Sequence, residues 1–166
     1  MDTKNKDEWT AITKVLILGS YHPDKAKRKL SKLKDYLKKE GFNNAGLATD
    51  FPSPFMPGAD NVVRDSAYKM ALSDFIVFLF VKEGDSYGPA MELQIGADNN
   101  FWNKGSRTMI LMEHSFRKKQ GRSQMFQDAL DLISEMGVDE HEFDDDKIPL
   151  KYVKTQIYSK ILKNRE

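Results

Sequence analysis

The sequence predicts an α/β fold in which a buried parallel sheet is covered by helices on both faces. Short apolar runs alternate along the 166-residue chain with longer segments whose apolar residues recur at helical spacing. An apolar run without polar alternation, such as residues 75–81, is typical of a parallel strand that is covered on both sides. Because strands and helices alternate, we expect βαβ units with right-handed crossovers.

The elements can be placed in order along the chain. Strands are predicted over residues 14–19, 45–49, 75–81, 107–112 and 142–144, and helices over residues 23–40, 61–73, 89–99, 123–136 and 149–163. The first strand is a short apolar run that ends in glycine. In the first helix, Leu30, Leu33 and Leu37 recur on one face, and Gly41 is a typical residue at a helix end.

The connections between these elements have their own signals. Three prolines and a glycine predict a loop over residues 50–60. Residues 113–122 are polar and basic, and we predict a loop there as well. Gly137 is expected to end the fourth helix. Residues 1–13 are charged and without an apolar core, so we expect a flexible or weakly helical segment.

Five parallel strands of this length favour a flavodoxin-like three-layer sandwich with the strand order 2-1-3-4-5. Residues 14–166 would form this single domain. In that order the chain reverses direction between strands 1 and 3, and a crevice opens at their carboxyl ends. The loops at 19–22 and 82–88 would face each other across the crevice. Small molecules bind at this position in open α/β sheets.

Composition limits the classes of function. The formal net charge is +1, so a nucleic-acid partner is not expected. The chain has no cysteine, which excludes disulfides, thiolate metal sites and a cysteine nucleophile, and fits a cytoplasmic location. No apolar segment approaches the roughly 20 residues that span a bilayer, so a membrane partner is not expected.

Glu92 is the first candidate for a catalytic residue. It follows the strand at 75–81, and Gly88 and Pro89 indicate a helix start that would place Glu92 in the first helical turn. A carboxylate at this position would serve as a nucleophile or as a general acid or base. Alternatively, it would only complement the positive end of the helix dipole.

Further polar residues are expected around the same crevice. The candidates are Gly19, Ser20, Tyr21, Asp65, Asp85, Ser86 and Gly88. Glycine lets a ligand approach the backbone, and the hydroxyls and carboxylates would bind a sugar or phosphate. Turn formation and helix-dipole contacts are the structural alternatives. Neither a G-x-G-x-x-G motif nor a P-loop is present, and the three histidines do not have the spacing of a zinc site.

Taken together, these residues resemble the nucleoside 2-deoxyribosyltransferase superfamily over roughly residues 14–112. The matching segments are the strand that ends in Gly19-Ser20-Tyr21, the segment from Arg64-Asp65 to Asp74, the apolar strand after it, and Ser86-x-Gly88-x-x-x-Glu92-Leu-x-x-Gly96. The resemblance implies that Glu92 attacks the anomeric carbon of a nucleoside and that Asp65 binds the sugar or base. It implies transfer to a second base or hydrolysis, without a metal or another cofactor.

The residue six positions before the glutamate bears on the substrate. In this superfamily the transferases usually carry aspartate there, whereas the related deoxynucleoside 5′-monophosphate N-glycosidases carry serine, which binds the phosphate. Ser86 therefore favours a phosphorylated nucleotide and hydrolysis, and Asp85 beside it keeps transfer open. Ala90 departs from the family pattern, in which glycine is frequent. The resemblance also implies a homo-oligomer, with Phe101 and Trp102 as candidate interface residues.

The sequence leaves two alternatives open. The order of Ser86 and Glu92 is also similar to that in Toll/interleukin-1 receptor-like domains, some of which cleave the nicotinamide–ribose bond of NAD. Both families place a carboxylate against an N-glycosidic bond. The other alternative is a non-catalytic module that binds a nucleotide or acts in signalling.

Overall fold

A single parallel sheet of five strands, in the order β2-β1-β3-β4-β5, forms the centre of the molecule. The computed structural model describes residues 3–58, 61–85, 87–98, 107–120 and 124–163. The strands are β1 (Lys14–Gly19), β2 (Asn44–Leu47), β3 (Phe75–Phe80), β4 (Thr108–Glu113) and β5 (Asp139–Phe143). The predicted α/β class and the predicted strand order are both confirmed.

Seven α-helices lie in the described part of the chain. They are α1 (Thr3–Ile12), α2 (Asp24–Lys39), α3 (Val62–Leu72), α4 (Tyr87–Asp98), α5 (His114–Gln120), α6 (Gln124–Ser134) and α7 (Leu150–Lys163). A short 3-10 helix, Ala48–Asp50, follows β2. The segment at 1–13, for which the sequence predicted a flexible or weakly helical conformation, contains α1. No described helix has the length and apolar composition needed to cross a bilayer.

Two apolar layers form because successive strand side chains point to opposite faces of the sheet. On one face, strand residues such as Val15, Ile17, Val77 and Leu79 pack against α2 and α7. On the other face, Leu16, Leu18, Phe78 and Ile110 pack against α3, α4, α5 and α6. The three leucines that predicted α2 are fully buried. Burial of each leucine side chain stabilises the folded state by about 2 kcal/mol.

The end of α2 follows the sequence prediction. Gly41 has φ of +101°, a left-handed conformation that disfavours residues with a Cβ. The amide of Phe42 donates to the carbonyl of Leu37 at 3.0 Å, and the amide of Gly41 donates to Lys38 at 3.1 Å. This pair of bonds is a Schellman motif. It turns the chain directly into β2.

The segment at 113–122 differs from its prediction as a loop. Glu113 is the last residue of β4, and α5 covers His114–Gln120. Phe116 is fully buried, and its ring lies 5.1 Å from that of Phe80 and 5.3 Å from that of Phe126. One apolar residue among polar ones gives no helical periodicity, so the sequence pattern could not indicate this helix.

The fifth strand is also longer than predicted. It covers Asp139–Phe143 and pairs with β4 alone, at the edge of the sheet. Four polar residues precede Phe143, the strand's one buried residue. Charged side chains on an edge strand protect it from pairing with another chain. The apolar pattern that identified the inner strands is therefore missing here.

Candidate functional site

A cavity of about 500 Å³ opens at the carboxyl ends of β1 and β3. These two strands pair from Val15 with Phe75 to Gly19 with Leu79, and the strand order reverses between them. The residues that line the cavity are Leu18, Gly19, Ser20, Tyr21, His22, Ala48, Thr49, Val62, Asp65, Ser66, Lys69, Asp85 and Glu92. Six of the eight candidates from the sequence are among them.

Two glycines allow the loops around the cavity to pack closely. A Cβ on Gly19 would lie 2.6 Å from the carbonyl oxygen of Leu79 and 2.7 Å from a methyl group of Leu30. A Cβ on Gly84 would lie 2.8 Å from Cβ of Ser20. Gly19 is thus required for close packing of β1 against β3 and α2. The contact at Gly84 brings the loops after β1 and β3 together, as the strand order predicted.

Ser20 and Tyr21 occupy the loop after β1. The hydroxyl of Ser20 is buried and donates to the carbonyl of His22 at 2.7 Å, which fixes the turn. The phenol of Tyr21 accepts a long hydrogen bond of 3.4 Å from the amide of Thr49. Burial raises the pKa of Tyr21, the contact with Thr49 lowers it, and the charge of Glu92 raises it. The net increase keeps Tyr21 a neutral hydrogen-bonding group at neutral pH.

Asp65 lies in the first turn of α3 and is paired with Lys69 one turn later. The ammonium of Lys69 is 2.8 Å from Oδ2 of Asp65. Burial opposes ionisation of Asp65, but Lys69 and Ser53 stabilise the carboxylate and lower its pKa below the ordinary value. The other oxygen, Oδ1, is buried and meets no hydrogen-bond donor. An acceptor in this state suits a hydroxyl or an N–H group of a ligand.

Glu92 lines the cavity from α4. That helix begins at Tyr87 rather than at Pro89, so Glu92 lies in the second turn, and its predicted position in the first turn is wrong. The helix dipole acts mainly within the first turn, and its stabilisation of the carboxylate is accordingly weaker. Burial raises the pKa of Glu92 to about 8, with Lys69 lowering it and Asp65 raising it. Glu92 is therefore a carboxyl group that changes charge near neutral pH.

The remaining candidates lie along the loop that leads into α4. Asp85 is exposed and lines the cavity. Gly88 is in the first turn of α4. Ser86 lies outside the described residues, and so do Phe101 and Trp102. The structure thus brings Gly19, Ser20, Tyr21, Asp65, Asp85 and Glu92 to one cavity.

Lys69 is a cavity residue that the sequence pattern did not single out. It is only 8% exposed, although lysine is rarely buried unless it is paired. The available signal was its position four residues after Asp65, since residues at this spacing are neighbours on a helix. A lysine in an amphipathic helix is more often solvent-facing, which is why spacing alone did not identify it.

A second group of charges, which we call the Glu113 cluster, lies at the same end of the sheet. It consists of Lys29, Lys82, Glu83, Glu113 and Asp146. Glu113 is fully buried and accepts hydrogen bonds from the amide of Lys82 at 2.7 Å and the amide of Asp146 at 2.9 Å. Lys29 contacts Glu113 at 2.8 Å and Glu83 at 2.9 Å. These bonds join α2 and β4 to the loops after β3 and β5.

The acidic run at 144–146 takes part in protein contacts. Asp145 accepts hydrogen bonds from the amide and the hydroxyl of Ser115. Asp146 pairs with Lys29 at 2.9 Å and with Lys82 at 2.7 Å. Among the described residues, no group of three or more histidine, aspartate or glutamate side chains is arranged so that it could hold a metal ion.

Comparison of the chain with protein-family models, with curated proteins and with solved structures found no match. The resemblance to the nucleoside 2-deoxyribosyltransferase superfamily therefore rests on the sequence motifs described above.

Proposed function

We propose that this protein cleaves or transfers at the N-glycosidic bond of a nucleoside or nucleotide, with Glu92 as the nucleophile. The observation that supports this proposal is the common cavity of Glu92, Asp65, Ser20, Tyr21 and Asp85 at the reversal of the strand order. A cavity of about 500 Å³ is large enough for a ligand of this size. The motifs shared with the deoxyribosyltransferase superfamily supply the reaction class.

The proposed reaction has two steps. In the first, an oxygen of Glu92 bonds to the anomeric carbon while the bond from that carbon to the base nitrogen breaks. The electron pair of the broken bond leaves with the base, which takes up a proton. Water or a second base then displaces Glu92. Asp65 would accept a hydrogen bond from the sugar or the base through Oδ1, the oxygen that Lys69 does not bind.

The charge of Glu92 determines the expected pH profile. With a pKa of about 8, Glu92 is mostly protonated at neutral pH, and a protonated carboxyl group is a poor nucleophile. If Glu92 attacks the sugar, kcat/KM should rise with pH and level off above about pH 8. If Glu92 instead protonates the leaving base, kcat/KM should fall over the same range. The profile therefore separates the two roles of one residue.

The test of the activity is base release from a panel of substrates. The panel contains deoxynucleosides, their 5′-monophosphates and NAD, with and without a second free base as acceptor. Glu92→Gln should lower the rate at least about a hundredfold, and Glu8→Gln, an exposed change on α1, should leave it unchanged. Equal rates for wild type and Glu92→Gln would contradict the assigned role.

The same panel decides between the alternatives. Preference for 5′-monophosphates would favour a phosphate site near Ser86, and release of nicotinamide from NAD alone would favour the Toll/interleukin-1 receptor-like alternative. Nucleotide binding in calorimetry without any turnover would favour a non-catalytic module.

A cytoplasmic location stays an expectation from the absence of cysteine.

We also propose that the chain forms a homo-oligomer through α3 and the loop before it. This surface, which we call the α3 patch, consists of Met56, Val62 and Val63. The side-chain amide of Asn61 donates to the carbonyl of Met56 at 2.8 Å, which holds Met56 beside the start of α3. Met56 is 77% exposed and Val62 56% exposed. Exposed apolar groups that lie together are typical of interaction surfaces. Val62 also lines the cavity, so a partner on this surface would lie at the cavity mouth.

A further inference from the structure

Lys69 is held in the cavity wall by an ion pair, and neither of the two proposed reaction steps uses it directly. It is 8% exposed, and its ammonium lies 2.8 Å from Asp65. Its main chain is fixed as well, because the hydroxyl of Ser73 donates to the carbonyl of Lys69 at 2.7 Å. Among the described residues that line the cavity, it is the only lysine or arginine.

The charges in the cavity are unbalanced without this ammonium. Asp65 and Glu92 face the cavity from α3 and α4, and Asp85 faces it from the loop after β3. Tyr21 and His22 are the titratable groups that the loop after β1 contributes. Two carboxyl groups that share a site resist ionising together. Lys69 is the positive charge in this cavity that favours the ionised forms of both Asp65 and Glu92.

Lys69 also determines how Asp65 meets a ligand. Because Oδ2 is bound to the ammonium, the carboxylate cannot rotate freely, and Oδ1 stays available as an acceptor. A buried ion pair that is broken on one side leaves an uncompensated charge, which is strongly unfavourable. Loss of Lys69 would therefore change both the orientation of Asp65 and the charge of the cavity.

We propose that Lys69 is a positioning residue of this site, which fixes Asp65 with one oxygen open to the ligand and stabilises the negative charge that Glu92 must carry to react. This proposal rests on the proposed function, because the charge of Glu92 affects a reaction only if Glu92 is the nucleophile. Its electrostatic part concerns the free protein and can be tested without any substrate. The effect of Lys69 on Glu92 and the proposed reaction can therefore be contradicted independently of each other.

The test is an NMR titration of the carboxyl carbon of Glu92 in the free protein, with the resonance assigned by its loss in Glu92→Gln. In Lys69→Met, Glu92 should titrate at a higher pH than in wild type, because the attractive charge is gone. In Asp65→Asn, it should titrate at a lower pH, because a repulsive charge is gone. A general loss of packing would not move the two variants in opposite directions.

The matched control is Arg64→Met, which removes a positive charge from an exposed residue of the same helix. It should leave the titration of Glu92 unchanged. Circular dichroism checks that each variant is folded, and Lys69→Gln, which removes the same charge, tests the proposal if Lys69→Met does not fold. An unchanged titration in Lys69→Met, or a shift in the same direction in both variants, would overturn the proposal.

Activity gives a second measurement where wild type turns over a substrate. Lys69→Met should lower kcat/KM about tenfold at pH 7, and the loss should shrink as the pH rises above about 8, where Glu92 ionises in wild type. A loss of equal size at every pH would contradict the charge effect and indicate a change in shape alone. Absence of turnover by wild type would count against the proposed function and leave the titration result intact.

Discussion

Burial around Glu92 has a consequence for stability as well as for reactivity. Its pKa in the folded protein is about 8, against an ordinary value of 4.5, because burial and Asp65 disfavour the charge more than Lys69 favours it. Between these two pH values the folded state keeps a proton that the unfolded state releases. Stability must therefore fall as the pH rises through this window, and it should be unaffected by Glu92 below it.

Glu92→Gln should remove this loss of stability. The variant is expected to unfold at about the same urea concentration as wild type near pH 4.5, and to be more stable by on the order of 4 kcal/mol at pH 8. The measurement is the free energy of unfolding by urea at several pH values across the window. Glu8→Gln on the exposed surface of α1 serves as the control and should give a small difference throughout. A difference for Glu92→Gln that does not grow with pH would contradict the raised pKa.

The site residues that the sequence predicted share one property, which is that they lie in the loop after a strand or in the first two turns of a helix. Asp65 and Glu92 could be placed at the crevice because topology brings those positions to one edge of the sheet. Lys69 could not be, since its burial depends on a partner one turn away and on the depth of the cavity. Its role is visible only when side chains from α3 and α4 are seen together.

At the scale of secondary-structure elements, Glu113 joins β4 and α2 to the loops after β3 and β5. It is the last residue of β4, and its carboxylate receives hydrogen bonds from the amides of Lys82 and Asp146. Lys29 adds a hydrogen-bonded ion pair from α2. Although burial opposes the charge of Lys29, its bonds to Glu113, Glu83 and Asp146 raise its pKa above the ordinary value. The loop that carries Asp85 is anchored in this way.

Glu113→Gln should therefore destabilise the protein by about 3 kcal/mol, because a buried ion pair loses one partner. Urea unfolding at neutral pH measures the difference. Glu142→Gln is the matched control, since Glu142 lies on the neighbouring strand and pairs with Arg117 at the surface. It should cost less than about 1 kcal/mol. Equal effects of the two changes would show that the Glu113 cluster does not join the loops as described.

The elements that the sequence predicted well are those with an apolar pattern. The strands β1 and β3 and the helix α2 have buried runs or stripes, and their bounds agree with the predictions within one residue. The helix α5 and the edge strand β5 were predicted poorly, because each depends on a single buried phenylalanine among polar residues. The position of such elements depends on tertiary contacts, and the local sequence pattern does not predict those contacts.

For the whole molecule, the alternation of strands and helices predicted a parallel sheet with right-handed crossovers, and the five short strands favoured the flavodoxin-like order that the structure has. The strand order in turn determined where the cavity would lie. What the alternation could not predict is which outer surfaces stay apolar. The α3 patch is such a surface, and it lies at the start of the helix that also carries Asp65 and Lys69.

If the α3 patch is a contact between copies of the chain, replacing its apolar residues should favour the monomer. Met56→Ser combined with Val63→Ser is the sharpest change, because Met56 and Val63 are 77% and 46% exposed and do not line the cavity. Sedimentation velocity at several concentrations should then show oligomers for wild type and a monomer for the double variant. Ile12→Ser is the control, since Ile12 is 59% exposed on α1, the helix whose Lys6 lies over the Tyr158 ring of α7. The same oligomer in wild type and the double variant, or its loss in Ile12→Ser alone, would place the contact elsewhere on the surface.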